Sequence, residues 1–260
     1  ATDLDIRGVI TTLQPTETNI YSIDVCGDAE AANILVGTGY DDRVYCSTDG
    51  GASWSKAGKS PTGKFAQVLM SPDFLTSGIA YAATSGVNTS AFSRTTDSGN
   101  SWNQISLIDY ATRDSYTVES LVAGDYNETG TIYMVTSASE GNAVFERTGG
   151  KHWERIYYAA NNISQVIVNG EDYMFAVDKS AGEIYRSSDM GATWPKTIRS
   201  KSDHTLSAVC VVTPTTLYTG YTDGSIYYST KSGVAWTPPK ESDVTGSVAS
   251  ISVKGDVVLV

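Results

Sequence analysis

The chain has 260 residues, with 18 Lys and Arg against 29 Asp and Glu, a formal net charge of −11. That balance excludes the basic surface that nucleic acid and anionic membranes reward, and no apolar run is long enough to cross a membrane as a helix. The length suits one large domain over 1–260, and 16 Tyr with few Lys fit an extracellular β-protein.

In chain order, the first strand-like run is 5–13 (DIRGVITTL). After it, four short apolar runs recur in units of about 41 to 51 residues, the period of propeller blades. First runs fall at 23–26, 68–70, 121–123, 166–168, 209–212 and 251–253, and second runs at 34–37, 79–83, 132–135, 173–177 and 216–220. Third runs fall at 44–47, 92–95, 144–147, 184–187 and 226–229, and a fourth begins at each Trp. The expected fold is all-β: a propeller of four-stranded antiparallel blades, five complete and a sixth begun. The run 5–13 is expected to close the ring on the last blade. Aliphatic first runs are expected to be packed on both faces. The apolar end, Val257 to Val260, is expected to continue into a longer protein.

Between third and fourth runs stands one phrase, S/T-x-D-x-G-x-x-W. It is complete at Asp49, Gly51 and Trp54, at Asp97, Gly99 and Trp102, and at Asp189, Gly191 and Trp194. Two worn copies keep Gly150 with Trp153 and Gly233 with Trp236; Thr148 and Lys231 stand at the acid position and Glu146 at the leading one. The chemistry is that of a turn. Short polar side chains accept hydrogen bonds from nearby backbone N–H groups, Gly permits a left-handed backbone, and Trp supplies an apolar face. The worn turns are expected to be looser.

The phrase resembles the Asp-box, or BNR repeat, of sialidases, sortilin-type receptors, xyloglucanases, photosystem II assembly factors and bacterial surface proteins. The resemblance covers about residues 20–260 and implies a propeller whose boxes lie away from the ligand face. That face would be built by the hairpins between second and third strands and by the connections between blades. Its candidates are Tyr40, Asp41, Asp42, Arg43, Asp109, Tyr110, Arg113, Asp114, Tyr116, Asp203 and Tyr221.

Sialidase chemistry would need three arginines, and only Arg43 and Arg113 fall clearly on that face. A two-carboxylate glycosidase has acids to draw on, but loop acids are usually solvated turn residues. His152 and His204 stand apart and form neither a zinc nor a triad pattern. No cofactor is expected; calcium is the one ion the Asp41-Asp42 pair or its like could hold. Cys26 and Cys46 lie two strand spacings apart, about 9.5 Å and beyond disulfide reach, so all three cysteines, with Cys210, are expected to be buried free thiols. The expectation is a non-catalytic cell-surface or S-layer scaffold or protein-binding module. Its partners would be other protein subunits, copies of itself in an oligomer or lattice, or cell-surface glycans. The alternative is a glycoside hydrolase or carbohydrate-binding propeller.

Overall fold

The computed structural model describes residues 19–28, 31–39, 43–85, 90–107, 116–124, 126–139, 141–150, 152–159, 162–200, 205–237, 246–255 and 257–260. The run 5–13 lies outside them. The architecture is a five-bladed propeller with the beginning of a sixth blade. Blade 1 is β1 (Ile20–Cys26), β2 (Asn33–Thr38), β3 (Val44–Ser47) and β4 (Ser55–Lys56). Blade 2 is β5 (Lys64–Met70), β6 (Ala80–Ser85), β7 (Ala91–Thr95) and β8 (Asn103–Leu107), with a one-turn helix α1 (Phe74–Ser77) between its first two strands. Blade 3 is β9 (Thr117–Ala123), β10 (Ile132–Ala138), β11 (Gly141–Arg147) and β12 (Glu154–Ala159), with α2 (Tyr126–Thr129) after β9. Blade 4 is β13 (Ile163–Asn169), β14 (Tyr173–Asp178), β15 (Glu183–Ser187) and β16 (Lys196–Arg199). Blade 5 has β17 (Leu206–Val211), β18 (Leu217–Tyr221) and β19 (Ile226–Ser229), and a single bridge from Tyr228 to Thr237 marks its fourth strand. The hairpin β20 (Ser252–Lys254) and β21 (Val257–Leu259) begins the sixth.

In each blade the second strand is more buried than the first. β6 is buried at every residue, whereas Ile20, Ile23 and Val25 of β1 are more than half exposed. Ser22 and Asp24 of β1 face blade 2, and Ile23 and Val25 alternate with them on the opposite, exposed face of the strand. Side chains knit it to the next blade. Ser22 Oγ donates to Ala66 O (2.8 Å) and accepts from Val68 N–H (3.0 Å), and Asp24 accepts from Met70 N–H (2.6 Å). These contacts satisfy edge groups of β5 that no strand pairs, which removes the desolvation penalty of burying them bare. Burial pushes the Asp24 carboxyl up, against the N–H donors of Met70 and Val25.

The repeated turns show why the phrase recurs. Ser47 Oγ accepts from Gly51 N–H (2.9 Å) and donates to Asp49 (2.8 Å); Asp49 in turn accepts from Ser53 N–H (2.8 Å) and Ser53 Oγ (2.5 Å). Blade 4 repeats the set at Ser187, Asp189, Gly191 and Thr193, and blade 2 repeats its core at Thr95, Asp97, Gly99 and Ser101. Two successive left-handed residues carry every copy, worn ones included: Gly50-Gly51, Ser98-Gly99, Gly149-Gly150, Met190-Gly191 and Ser232-Gly233. The worn turns therefore keep the left-handed pair and lose side-chain bonds. In blade 5, Ser229 Oγ still accepts from Gly233 N–H (2.9 Å).

The third copy is built differently from its sequence alignment. Arg147 pairs with Ile132 where Ser47 pairs with Ile34 and Thr95 with Ala80, so Arg147, not Glu146, holds the leading position. This turn is one residue shorter, and the acid position is deleted rather than replaced by Thr148. Each Trp after the first packs back on the preceding blade. Trp102 joins the seam between blades 1 and 2, Trp153 that between 2 and 3, Trp194 that between 3 and 4, and Trp236 that between 4 and 5. The cysteines are free, as expected, but half-buried rather than buried.

The turn acids give a pH prediction. Asp49 is held down at about 2, chiefly by the Ser53 hydroxyl and N–H and then by Ser47. Asp189 is lowered chiefly by Ser187 and Thr193; for Asp97 desolvation opposes, but Thr95 and Ser101 prevail. Carboxylates depressed in the fold contribute stability above the unfolded value of about 3.9, lost as pH falls through the folded one. The melting temperature should therefore drop between about pH 4 and 2. An Asp49→Asn, Asp97→Asn, Asp189→Asn variant should melt lower at pH 7 and show a flatter profile. Parallel profiles for the two proteins would contradict the assignment.

Candidate functional site

All five first strands carry a bulge near their start, in the pairing of each with its second strand. An extra residue there leaves the ladder and re-aims its side chain. The skipped residues are Tyr21, the Phe65-Ala66 stretch, Glu119, Ser164 and Ser207. Phe65 accepts a left-handed φ of 51° to do so.

Two of these residues line two adjoining cavities. One, of about 460 Å³, opens where the β10–β11 hairpin meets the connection into blade 4, lined by Thr117, Glu119, Ser137, Asn142, Asn162 and Ser164 among others. The other, of about 340 Å³, runs along the channel past Glu119, Ser164, Gln165, Lys179 and Ser250. Glu119 and Ser164 are common to both.

The lining is pre-set by hydrogen bonds. Ser137 Oγ donates to the Glu119 carboxylate (2.5 Å), and Gln67 Nε2 reaches across from blade 2 to Glu119 O (2.9 Å). Tyr21 OH donates to Val118 O (3.0 Å); burial and the nearby Glu119 charge push its phenol up to about 12, so it stays a neutral donor. Asn142 Nδ2 holds Ile163 O (2.6 Å) from within the wall. Asp178, 3 % exposed, accepts from Asn162 N–H, Ser180 Oγ and Ala181 N–H and so fixes the approach to Ser164. The result is a hydrogen-bonded surface of hydroxyls and amides around one carboxylate, with Lys179 lining the second cavity. It offers donors and acceptors at fixed positions, suited to recognising a polar chain without reorganising.

Of the residues proposed from sequence, Tyr40, Asp41, Asp42, Asp109, Tyr110, Arg113, Asp114 and Asp203 lie outside the described residues. Arg43 stands in the β2–β3 hairpin, its backbone tied to Thr38. Tyr116 and Tyr221 are core residues rather than ligand-face groups: Tyr116 packs in the seam of blades 2 and 3, and Tyr221, fully buried, donates to Thr219 Oγ1 (3.2 Å) and meets the Tyr227 ring edge-on. Glu119 and Ser164 are not loop residues, and their signal in the sequence is a polar residue just before the aliphatic run, in TVESLV and ISQVIV. Among the described residues no cluster of acids, His and Cys is placed to hold a metal ion.

No protein-family model matches the sequence, and no curated protein does. Solved structures do match in shape. YCF48 bound to a D1 peptide superimposes with a TM-score of 0.63 at 19% identity, over 88% of this chain and 70% of that one. The likeness is one of fold. The GH74 enzyme of Niastella koreensis gives 0.63 at 15% identity, over 84% of this chain and 38% of the enzyme. A catalytically inactive virginiamycin B lyase from Staphylococcus aureus, with quinupristin, gives 0.62 at 14%, over 90% and 74%. One propeller framework thus carries peptide binding, a glycoside hydrolase family and a lyase, and function has to be argued from the site.

Proposed function

We propose that this chain is a non-catalytic Asp-box propeller that works at the cell surface as a protein-binding scaffold, its mouth engaging an extended peptide. The observation that carries the reading is the bulge-built wall of Glu119, Ser137, Asn142, Asn162 and Ser164. Extended backbone presents alternating N–H and C=O groups, and fixed hydroxyls and amides meet both. Glu119 adds selectivity for a peptide bearing Lys, Arg or a free amino terminus, through a charge-assisted bond. The peptide-bound YCF48 structure lends support by fold alone. The acidic composition suits an exported protein, and assembly into a surface lattice would use the rims of the blades.

The test is a peptide array run beside a glycan array carrying sialosides and β-glucans, with product analysis on the latter. Binding of basic extended peptides is expected, with no glycan turned over. Glu119→Ala with Ser137→Ala should weaken the best peptide about tenfold, the loss of roughly 1.4 kcal/mol. Glycan hydrolysis that depends on Glu119 would replace this reading with the glycosidase one.

A further inference from the structure

We infer that the seam between blades 2 and 3, on the side of the repeated turns, holds a binding site for a small oxyanion of the sulfate or carboxylate class. Arg147 takes the position that a Ser or Thr hydroxyl holds in the other four copies, and it is 7 % exposed. A hydroxyl there accepts the turn's N–H; a guanidinium only donates. Its Nη2 donates to Gly150 O (3.0 Å) and its plane lies 5.3 Å from the Phe92 ring centre, but its Nε–H is buried without an acceptor. Arg94, on the neighbouring blade, likewise has a buried Nε–H with no acceptor. Arg94 stands two residues beyond Phe92 on β7 and so shares the face over which the Arg147 guanidinium lies, and burial together with Arg94 lowers the Arg147 pKa. Trp153 Nε1–H, whose ring meets Phe92 edge-on at 5.0 Å, is a third buried donor without an acceptor. Half-buried Tyr126, its hydroxyl 2.7 Å from that of Tyr81, lines the same seam.

Two guanidinium groups therefore face one seam of an acidic protein with no carboxylate bonded to either among the described residues. An uncompensated buried charge is expensive, and buried donors left bare are rare. Blade 4 shows the contrast. Arg186 holds the position of Arg94, and there the guanidinium reaches Ser232 Oγ (3.1 Å) and Pro214 O (3.4 Å) and lies 5.0 Å from the Tyr173 ring centre. Among the described residues, only the seam of blades 2 and 3 doubles the cation and leaves both Nε–H groups unanswered. An oxyanion supplies charge and lone pairs together. This site is separate from the channel mouth and does not depend on the peptide reading.

The test is nitrogen-15 NMR of the whole chain, following the Arg Nε–H and Trp Nε1–H signals as sodium sulfate or sodium acetate replaces sodium chloride at constant ionic strength. The Arg94, Arg147 and Trp153 signals should shift saturably at millimolar sulfate or acetate, while Arg186 stays still. Whichever anion binds more tightly assigns the class. Arg94→Gln, at a half-exposed position, should raise the apparent Kd about tenfold or more; Arg147→Gln should abolish the shifts. Signals that do not move, that move equally in chloride, or an Arg94→Gln variant with unchanged affinity would each overturn the site.

Discussion

Gly37→Ala is expected to destabilise the protein by about 4 kcal/mol, far beyond an ordinary Gly-to-Ala exchange. Gly37 is not left-handed; its constraint is the neighbouring blade. A Cβ there would run into the carbonyl of Ala66, with Ser22 Oγ at 2.8 Å. The carbonyl cannot retreat without breaking the Ser22 bond that joins β1 to β5. Overpacking of about 1 to 3 kcal/mol then adds to the loss of two hydrogen bonds worth about 1 kcal/mol each. Gly170→Ala is the control: its φ is +70° but nothing lies within 4 Å, so only the backbone term of about 1 to 2 kcal/mol remains. Urea unfolding of both variants checks the pair. Equal losses would mean that the blade seam yields and that the close approach is not a constraint. Gly220 also lies close to its neighbour, but there a Cβ would meet the Val248 side chain rather than a backbone carbonyl.

The sequence carried the blade pattern because that pattern is local. A turn of eight residues with its own hydrogen bonds and its own Trp reads the same wherever it occurs, and each observed third strand ends where the phrase begins. What it did not carry is what neighbouring blades impose. Ser22 and Asp24 look like ordinary polar residues in a strand, yet they serve the backbone of β5. Glu119 and Ser164 reach the channel mouth through bulges, and a bulge is a matter of register between two strands. Tyr116 and Tyr221 stand beside loops in the sequence, but a tyrosine at a strand end turns inward as readily as outward. The one-residue deletion at Arg147 was invisible for the same reason. Aligned on its Trp, the third copy looks substituted; aligned on its strand pairing, it is shortened, and a cation stands where the others keep a hydroxyl.

Trp102→Ala is expected to cost about 4 kcal/mol, and Trp54→Ala clearly less, although the two occupy the same position in the repeat. Both indole N–H groups donate to the turn glycine, Trp54 to Gly51 O at 3.0 Å and Trp102 to Gly99 O at 2.9 Å. The difference is what lies behind the ring. Trp102 is 1 % exposed and packs in the core of the seam with Leu35, Val44 and Ala57 of the preceding blade. Its turn is also tied to that blade through the main chain, with Trp102 N–H donating to Lys59 O (2.9 Å) and Lys59 N–H to Asn100 O (3.2 Å). Removing the ring therefore opens a cavity between two blades already pinned at fixed separation, where collapse is restricted and the penalty for a large aromatic sits at about 3 to 5 kcal/mol. Trp54 belongs to blade 1, has no such seam behind it among the described residues, and is half-buried. Its loss should be roughly half as large, in keeping with the smaller area withdrawn from water. Denaturant unfolding of the two variants decides the matter. A Trp54→Ala loss equal to that of Trp102→Ala would mean that the tryptophans only close their own turns; a twofold gap means that they wedge one blade onto the next, which is the reason a repeat this short can organise a propeller.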